Sequence, residues 1–132
     1  MITYVWVALG GALGSIARFG CANAIASWYG PGFPLGTLVI NVLGSFVIGF
    51  FATLTGPDGR FAAPGDVRQF VMVGVCGGYT TFSAFSLQTL TLAQEGDFVR
   101  AGLNVAASVV LCLAAVWLGY LGAAALNGML GG

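Results

Sequence analysis

Gly77-Gly78-Tyr79-Thr80-Thr81-Phe82-Ser83-Ala84-Phe85-Ser86 is the stretch whose reading decides the fold. It lies inside an uncharged run from Gln69 to Gln94, long enough to cross a bilayer. Glycine weakens a helix, and β-branched threonine is a middling helix former. Hydroxyls at membrane depth need partners. Interrupted backbone survives there only when it is buried in protein or lines a cavity. The stretch therefore predicts a spanning helix that is broken around something polar.

The rest of the chain supports a membrane setting. Its 132 residues are 58% hydrophobic and 6% charged, with no lysine and no histidine, against about 25% charged in soluble domains. The charges fall at Arg18, Asp58, Arg60, Asp66, Arg68, Glu95, Asp97 and Arg100, leaving uncharged runs at 1–17, 19–57, 69–94 and 101–132. Spans of about 20 apolar residues fit at roughly 3–28, 35–56, 67–94 and 98–127, with a turn at Gly30-Pro31-Gly32-Phe33-Pro34. The expected fold is an all-α membrane protein, one transmembrane domain over 1–132. Met1-Ile2-Thr3-Tyr4 offers no basic region of the kind that opens a signal peptide. Four helices are too few to wall in a transport path, which points to a homo-oligomer. Zero net charge and the lack of a basic patch argue against a nucleic-acid partner. An enzyme is not expected, because the chain offers no histidine and no nucleophile–base pair. Cys21, Cys76 and Cys112 fit no zinc or disulfide spacing and read as small apolar helix residues.

Arginine placement normally sets membrane orientation. Here Arg60 and Arg68 fall on one side. Arg100, with Arg18 nearer its end of the first span, falls on the other. The near tie permits insertion both ways up, and two copies could pair head to tail. Gly10 to Gly14 and Gly74 to Gly78 are small-xxx-small steps that let backbones approach in lipid. Spacing alone does not say what they approach.

Polar residues within the spans suggest what the break serves. Thr37, Asn41 and Ser45 recur every fourth residue, on one helix face. Asn104, Ser108 and Cys112 repeat the device in the fourth span. Such stripes either stitch helices together by hydrogen bonds or line a polar track. Arg18 either snorkels to an interface or stands as a cation at the mouth of an aqueous vestibule. No Asp or Glu lies deep in a span, so the ionisable group usual in proton-coupled transport is missing. A small anion could be held instead by hydroxyl and amide donors, helix N-termini and the positive edges of aromatic rings. Phe82 and Phe85, three apart beside the hydroxyls, are candidates for such edges.

Three motifs in order resemble the Fluc (CrcB) fluoride channels of microbes. They are Gly10-Gly11-Ala12-Leu13-Gly14-Ser15-Ile16-Ala17-Arg18-Phe19, the run from Pro34 to Phe46 (PLGTLVINVLGSF), and the 77–86 stretch. The resemblance covers nearly the whole chain. It implies an antiparallel, dual-topology homodimer in the plasma (inner) membrane, with two narrow pores that pass fluoride passively out of the cell. By carry-over, Phe82 and Phe85 supply ring edges to the ion path and Asn41 a pore-lining donor. Ser83, Thr81 and Ser108 belong to the polar track, and Arg18 sits near the vestibule. A structural sodium ion is implied on the dimer axis, bound by the backbone carbonyls of Gly77 and Thr80 from both subunits. Two other readings compete. A small multidrug-type exporter of dual topology normally relies on a glutamate in its first helix, which is lacking here. An accessory membrane subunit would explain the packing glycines but not the polar stripes.

Overall fold

The computed structural model describes residues 1–131, with side chains through Met129. Every regular element among those residues is helical: α1 Ile2–Tyr29, α2 Leu35–Leu54, α3 Gly65–Gln69, a π-helical stretch Phe70–Cys76, α4 Gly77–Tyr79, α5 Phe82–Gln94 and α6 Phe98–Gly131. Four stretches are long and apolar enough to cross a membrane: Ile2–Tyr29, Leu35–Leu54, Gly65–Gln94 and Phe98–Met129. The chain is a multi-pass membrane protein. At the α-helical rise, the 20 residues of α2 measure about 30 Å, the thickness of a bilayer's hydrocarbon core.

The helix ends differ from the predicted ones by a few residues, for local reasons. α2 stops at Leu54 because the Thr55 hydroxyl donates back to the Phe51 carbonyl (2.7 Å) and Gly56-Pro57 follows. The third span starts at Gly65, where the Pro64 carbonyl accepts from Arg68 N–H at 3.1 Å; proline loses nothing at a helix start. Gly96 ends α5 with φ 81°, a left-handed conformation that suits glycine. Gly96 N–H reaches the Ala93 carbonyl and Asp97 N–H the Leu92 carbonyl, which satisfies the last turn. Asp97 then caps α6 by accepting from Arg100 N–H at 3.1 Å.

The helices associate as two close pairs, α1 with the π-helical stretch and α4, and α2 with α6. Glycine makes both possible. A Cβ on Gly14 would overlap the Val75 carbonyl and the Tyr79 amide, and one on Gly78 would overlap the Gly11 backbone. The two predicted small-xxx-small steps are thus halves of a single seam, with Gly10 against Gly74 and Gly14 against the turn that follows. Side chains on this seam would push the helices apart in lipid, where close packing is a main source of association. Gly49 and Gly119 serve the other pair, each facing the partner helix's backbone.

The core is thin. The buried share of the most apolar stretch runs from 11% in the first span to 28% in the second. Leu38, Ile40, Cys76, Phe85, Leu92 and several alanines form the apolar interior, with Thr37, Asn104 and Ser108 buried among them. Many of the other large apolar residues are exposed, among them Leu13, Phe19, Phe82 and Trp117. α5 touches mainly α6.

Candidate functional site

The break falls at Thr80-Thr81, not at the glycines. Gly77 keeps helical angles (φ −64°, ψ −37°), and the seam places Gly78 against α1. Thr80 and Thr81 are both extended (ψ 158° and 113°). Each hydroxyl closes one side of the gap. Thr80 Oγ1 donates to the Cys76 carbonyl at 2.9 Å, where Thr80 N–H also bonds (3.0 Å). Thr81 Oγ1 accepts from Ala84 N–H at 3.1 Å and caps α5. Gly44 on α2 clears space for the Thr80 methyl, which a Cβ there would overlap. No spacing rule along α2 announces this role, because the neighbour comes from another span.

Asn41 holds the extended residues. Its Nδ2 donates to the Thr81 carbonyl (3.0 Å), and its Oδ1 accepts from the Thr81 amide (2.8 Å). The side chain so satisfies both backbone groups of Thr81. An unpaired backbone group at membrane depth costs several kcal/mol, so this clamp keeps the gap affordable. The amide's second N–H is not used by the clamp.

Arg18 turns to the same place. Its Nε donates to the Gly78 carbonyl at 3.1 Å, at the C-terminal end of α4, where a cation meets the negative end of the helix dipole. A buried arginine costs about 2.5–3.5 kcal/mol at a span centre, and a hydrogen bond to a charged group returns about 1.5–3 kcal/mol. Arg18 is only half-buried, and this bond offsets part of the cost of placing it within a span. One N–H of the guanidinium is thus tied to the backbone just before the break. Among the described residues, no hydrogen bond from outside the helices reaches the Gly77, Tyr79 or Thr80 carbonyl, and Gly77 is exposed.

A cavity of about 410 Å³ opens beside the break, between α2, the π-helical stretch, α5 and α6. It gathers Asn41 and Ser45 from α2, Gly77, Thr80 and Thr81 from the break, Phe82 and Phe85 from α5, and Ser108 and Cys112 from α6. Arg18 and Ser83 are outside its lining; Ser83 shares a hydrogen bond with Thr81 Oγ1 at 3.2 Å. The two phenylalanines meet at 5.3 Å between ring centroids, yet their settings differ. Phe85 is 9% exposed and Phe82 78%. Each polar stripe divides its labour. Asn104 stitches α6 to α5 through Thr89 Oγ1 (2.9 Å), while Ser108 and Cys112 face the cavity. Thr37 is buried away from the cavity, and Asn41 and Ser45 line it. The π-helical stretch that leads into the break was not foreseen. Such bulges cluster at functional sites, but FVMVGVC carries no residue pattern that distinguishes it from an ordinary helix.

This arrangement, a broken third span held by an asparagine from the second, belongs with the sequence comparisons. Residues 5–120 match the family described as CrcB-like protein, Camphor Resistance (CrcB). The chain belongs to this family. It is 65% identical over 126 residues to the Rhodospirillum rubrum protein named fluoride-specific ion channel FluC, covering 96% of this chain and 98% of that one. It is 59% identical over 131 residues to the protein of that name from Opitutus terrae, covering 99% of each chain. The Methylocella silvestris protein of the same name is 56% identical over 128 residues, covering 97% of this chain and 98% of that one. These CrcB relatives match end to end, so all four spans and the break lie within the shared region.

Proposed function

We propose that the chain is a fluoride-selective channel of the plasma membrane that lets fluoride leave the cell passively. One observation carries the reading: hydrogen-bond donors and two phenylalanines line a cavity at a broken span, with no carboxylate in its lining. The relatives' shared name supplies the ion.

The chemistry suits a small, strongly hydrated anion. The break turns the N-terminus of α5 toward the cavity, and a helix N-terminus carries partial positive charge. The free N–H of Asn41 and the hydroxyls of Ser45 and Ser108 supply donors. Ring edges of Phe82 and Phe85 are positive and apolar at once, a contact that accepts an anion without gripping it. Conduction needs binding weak enough to release. With no titratable group in the lining apart from Cys76 and Cys112, transport is independent of a proton carrier. Catalysis has no part in this reading.

The working unit is proposed to be a head-to-tail homodimer with two pores. The near tie in arginine placement, the thin core and the exposed face of α5 support it. A sodium ion on the dimer axis fits the carbonyls of Gly77 and Thr80, which no hydrogen bond from outside the helices reaches, since carbonyl oxygens suit a small hard cation. Both copies would contribute, and the ion would pin them together. The deciding experiment is efflux of fluoride and of chloride from liposomes containing the purified protein. Fluoride efflux without chloride efflux is expected. Equal rates for the two ions sink selectivity, and no efflux returns the protein to the accessory class.

A further inference from the structure

The cavity holds a second chemistry that fluoride does not use. Three sulfurs line it: Met72 from the π-helical stretch, Cys76 at the end of that stretch, and Cys112 from α6. No carboxylate or imidazole joins them. The remaining cysteine, Cys21, sits outside the cavity, its sulfur accepting from the Tyr79 hydroxyl at 3.5 Å. Thiol and thioether ligands select soft metal ions, whereas hydroxyls, amides and carbonyls do not. The thiols are free. Cys76 is 3% exposed, whereas Cys112 is half-buried, so Cys112 is the more accessible of the two thiols. Ser108 stands one turn before Cys112 on the same face of α6, which puts the thiol in line with the polar residues of the cavity. A volume of about 410 Å³ far exceeds the share of one water, about 30 Å³, and admits a metal with a halide attached.

We propose that this cavity is a binding site for soft, thiophilic metal ions, Hg(II) or Ag(I), held through Cys112 with Met72 and Cys76 as the neighbouring sulfurs. An ion there obstructs the space between Asn41 and Ser108. With mercuric chloride the balance is simple. A sulfur–mercury bond forms at Cys112, the thiol proton passes to water, one chloride leaves, and nothing is oxidised or reduced. The binding site stands on the sulfur set alone; the block of transport rests on the fluoride reading.

The test uses proteoliposomes treated with mercuric chloride and washed, with two readouts. Bound mercury is measured per chain by elemental mass spectrometry, and fluoride efflux is compared with each variant's own untreated rate. The wild-type protein is expected to retain mercury and to lose efflux, with recovery on adding excess small thiol. Cys112→Ser should lose both the bound mercury attributed to this site and the block. Cys21→Ser should keep the block. Mercury bound by Cys112→Ser as by the wild type overturns the assignment, and so does block that persists in that variant. If untreated protein shows no fluoride efflux, the transport reading fails, while Cys112-dependent mercury binding still upholds the site.

Discussion

The two halves of the third span, on either side of Thr80-Thr81, have similar apolar character and opposite surroundings. The upstream half presents Gly74 and Gly78 to α1, and its backbone lies directly on that of Gly10, Gly11 and Gly14. The downstream half, α5, carries no glycine, touches mainly α6, and leaves Phe82, Leu87 and Leu90 exposed. The break also turns the two helix dipoles differently. The end of α4 offers carbonyls, one of them taken by Arg18. The start of α5 offers positive partial charge. One half is therefore an anchor with a cation-friendly end, and the other an open-faced wall with an anion-friendly end. The difference teaches that breaking a span creates two ion environments of opposite sign at one depth, and a pair of threonines with one asparagine is enough to hold them apart.

The severest test of that separation is Asn41→Leu. It orphans both backbone groups of Thr81, at about 1–3 kcal/mol for each group. Thermal unfolding of the purified protein in detergent should show a large loss of stability, and fluoride efflux should vanish. A midpoint equal to the wild type would falsify the clamp. Asn41→Asp keeps the acceptor for the Thr81 amide and loses the donor, so it should fall between the two in stability.

The anchored half is tested through its seam. Gly14→Val drives a side chain into the Val75 carbonyl and the Tyr79 amide, which are backbone and cannot swing aside. Overpacking of this kind costs about 1–3 kcal/mol. Gly20→Val lies on the same helix with nothing within 4 Å of its Cβ position and should change stability little. If the two variants unfold alike, α1 is not fastened to the third span by close backbone contact.

Much of this architecture was legible in the sequence, and the limits have a physical cause. Charge spacing marked the four spans because a bilayer penalises charge at every position along them. The Gly10–Gly14 and Gly74–Gly78 steps announced close packing but not each other, since a spacing names a face and not its neighbour. Hydroxyls in 77–86 announced a break. The glycines there stay helical, and Gly78 packs against α1. Asn41 and Ser108 were picked out as polar residues at depth, and the structure brings both to the cavity. The clamp on Thr81 and the cap by Arg18 were hidden, as each joins residues about 40 or 60 positions apart through groups that any helix could carry. Three cysteines without a metal spacing read as inert. The grouping of Cys76, Cys112 and Met72 arises only from folding.

A smaller effect separates the two threonines. Thr81→Ala removes the cap on α5 and should cost about 1 kcal/mol, while Thr81→Ser keeps an oxygen for Ala84 N–H and should recover most of it. Amide hydrogen exchange gives the sharper readout. Faster exchange confined to the first turn of α5 locates the loss in the downstream half. Equal acceleration on both sides of the break would mean that the halves open together and that the contrast between them is not energetic.

Phe82 and Phe85 carry the comparison to a single turn of helix. Phe85 is packed in the core of its own chain, so truncating it destabilises the fold whatever the protein does. Phe82 is 78% exposed, and a single chain gains almost nothing from it. Phe82→Ala should therefore move the unfolding of dissociated chains by no more than about 0.5 kcal/mol. Its effect on the assembled protein then discriminates between two uses of the ring. A weakened dimer, read as dissociation at higher protein concentration, makes Phe82 an interface residue. An intact dimer with altered fluoride flux makes it part of the ion path. The makeup of the cavity favours the second result, because Phe82 lines it beside Thr81 and Phe85.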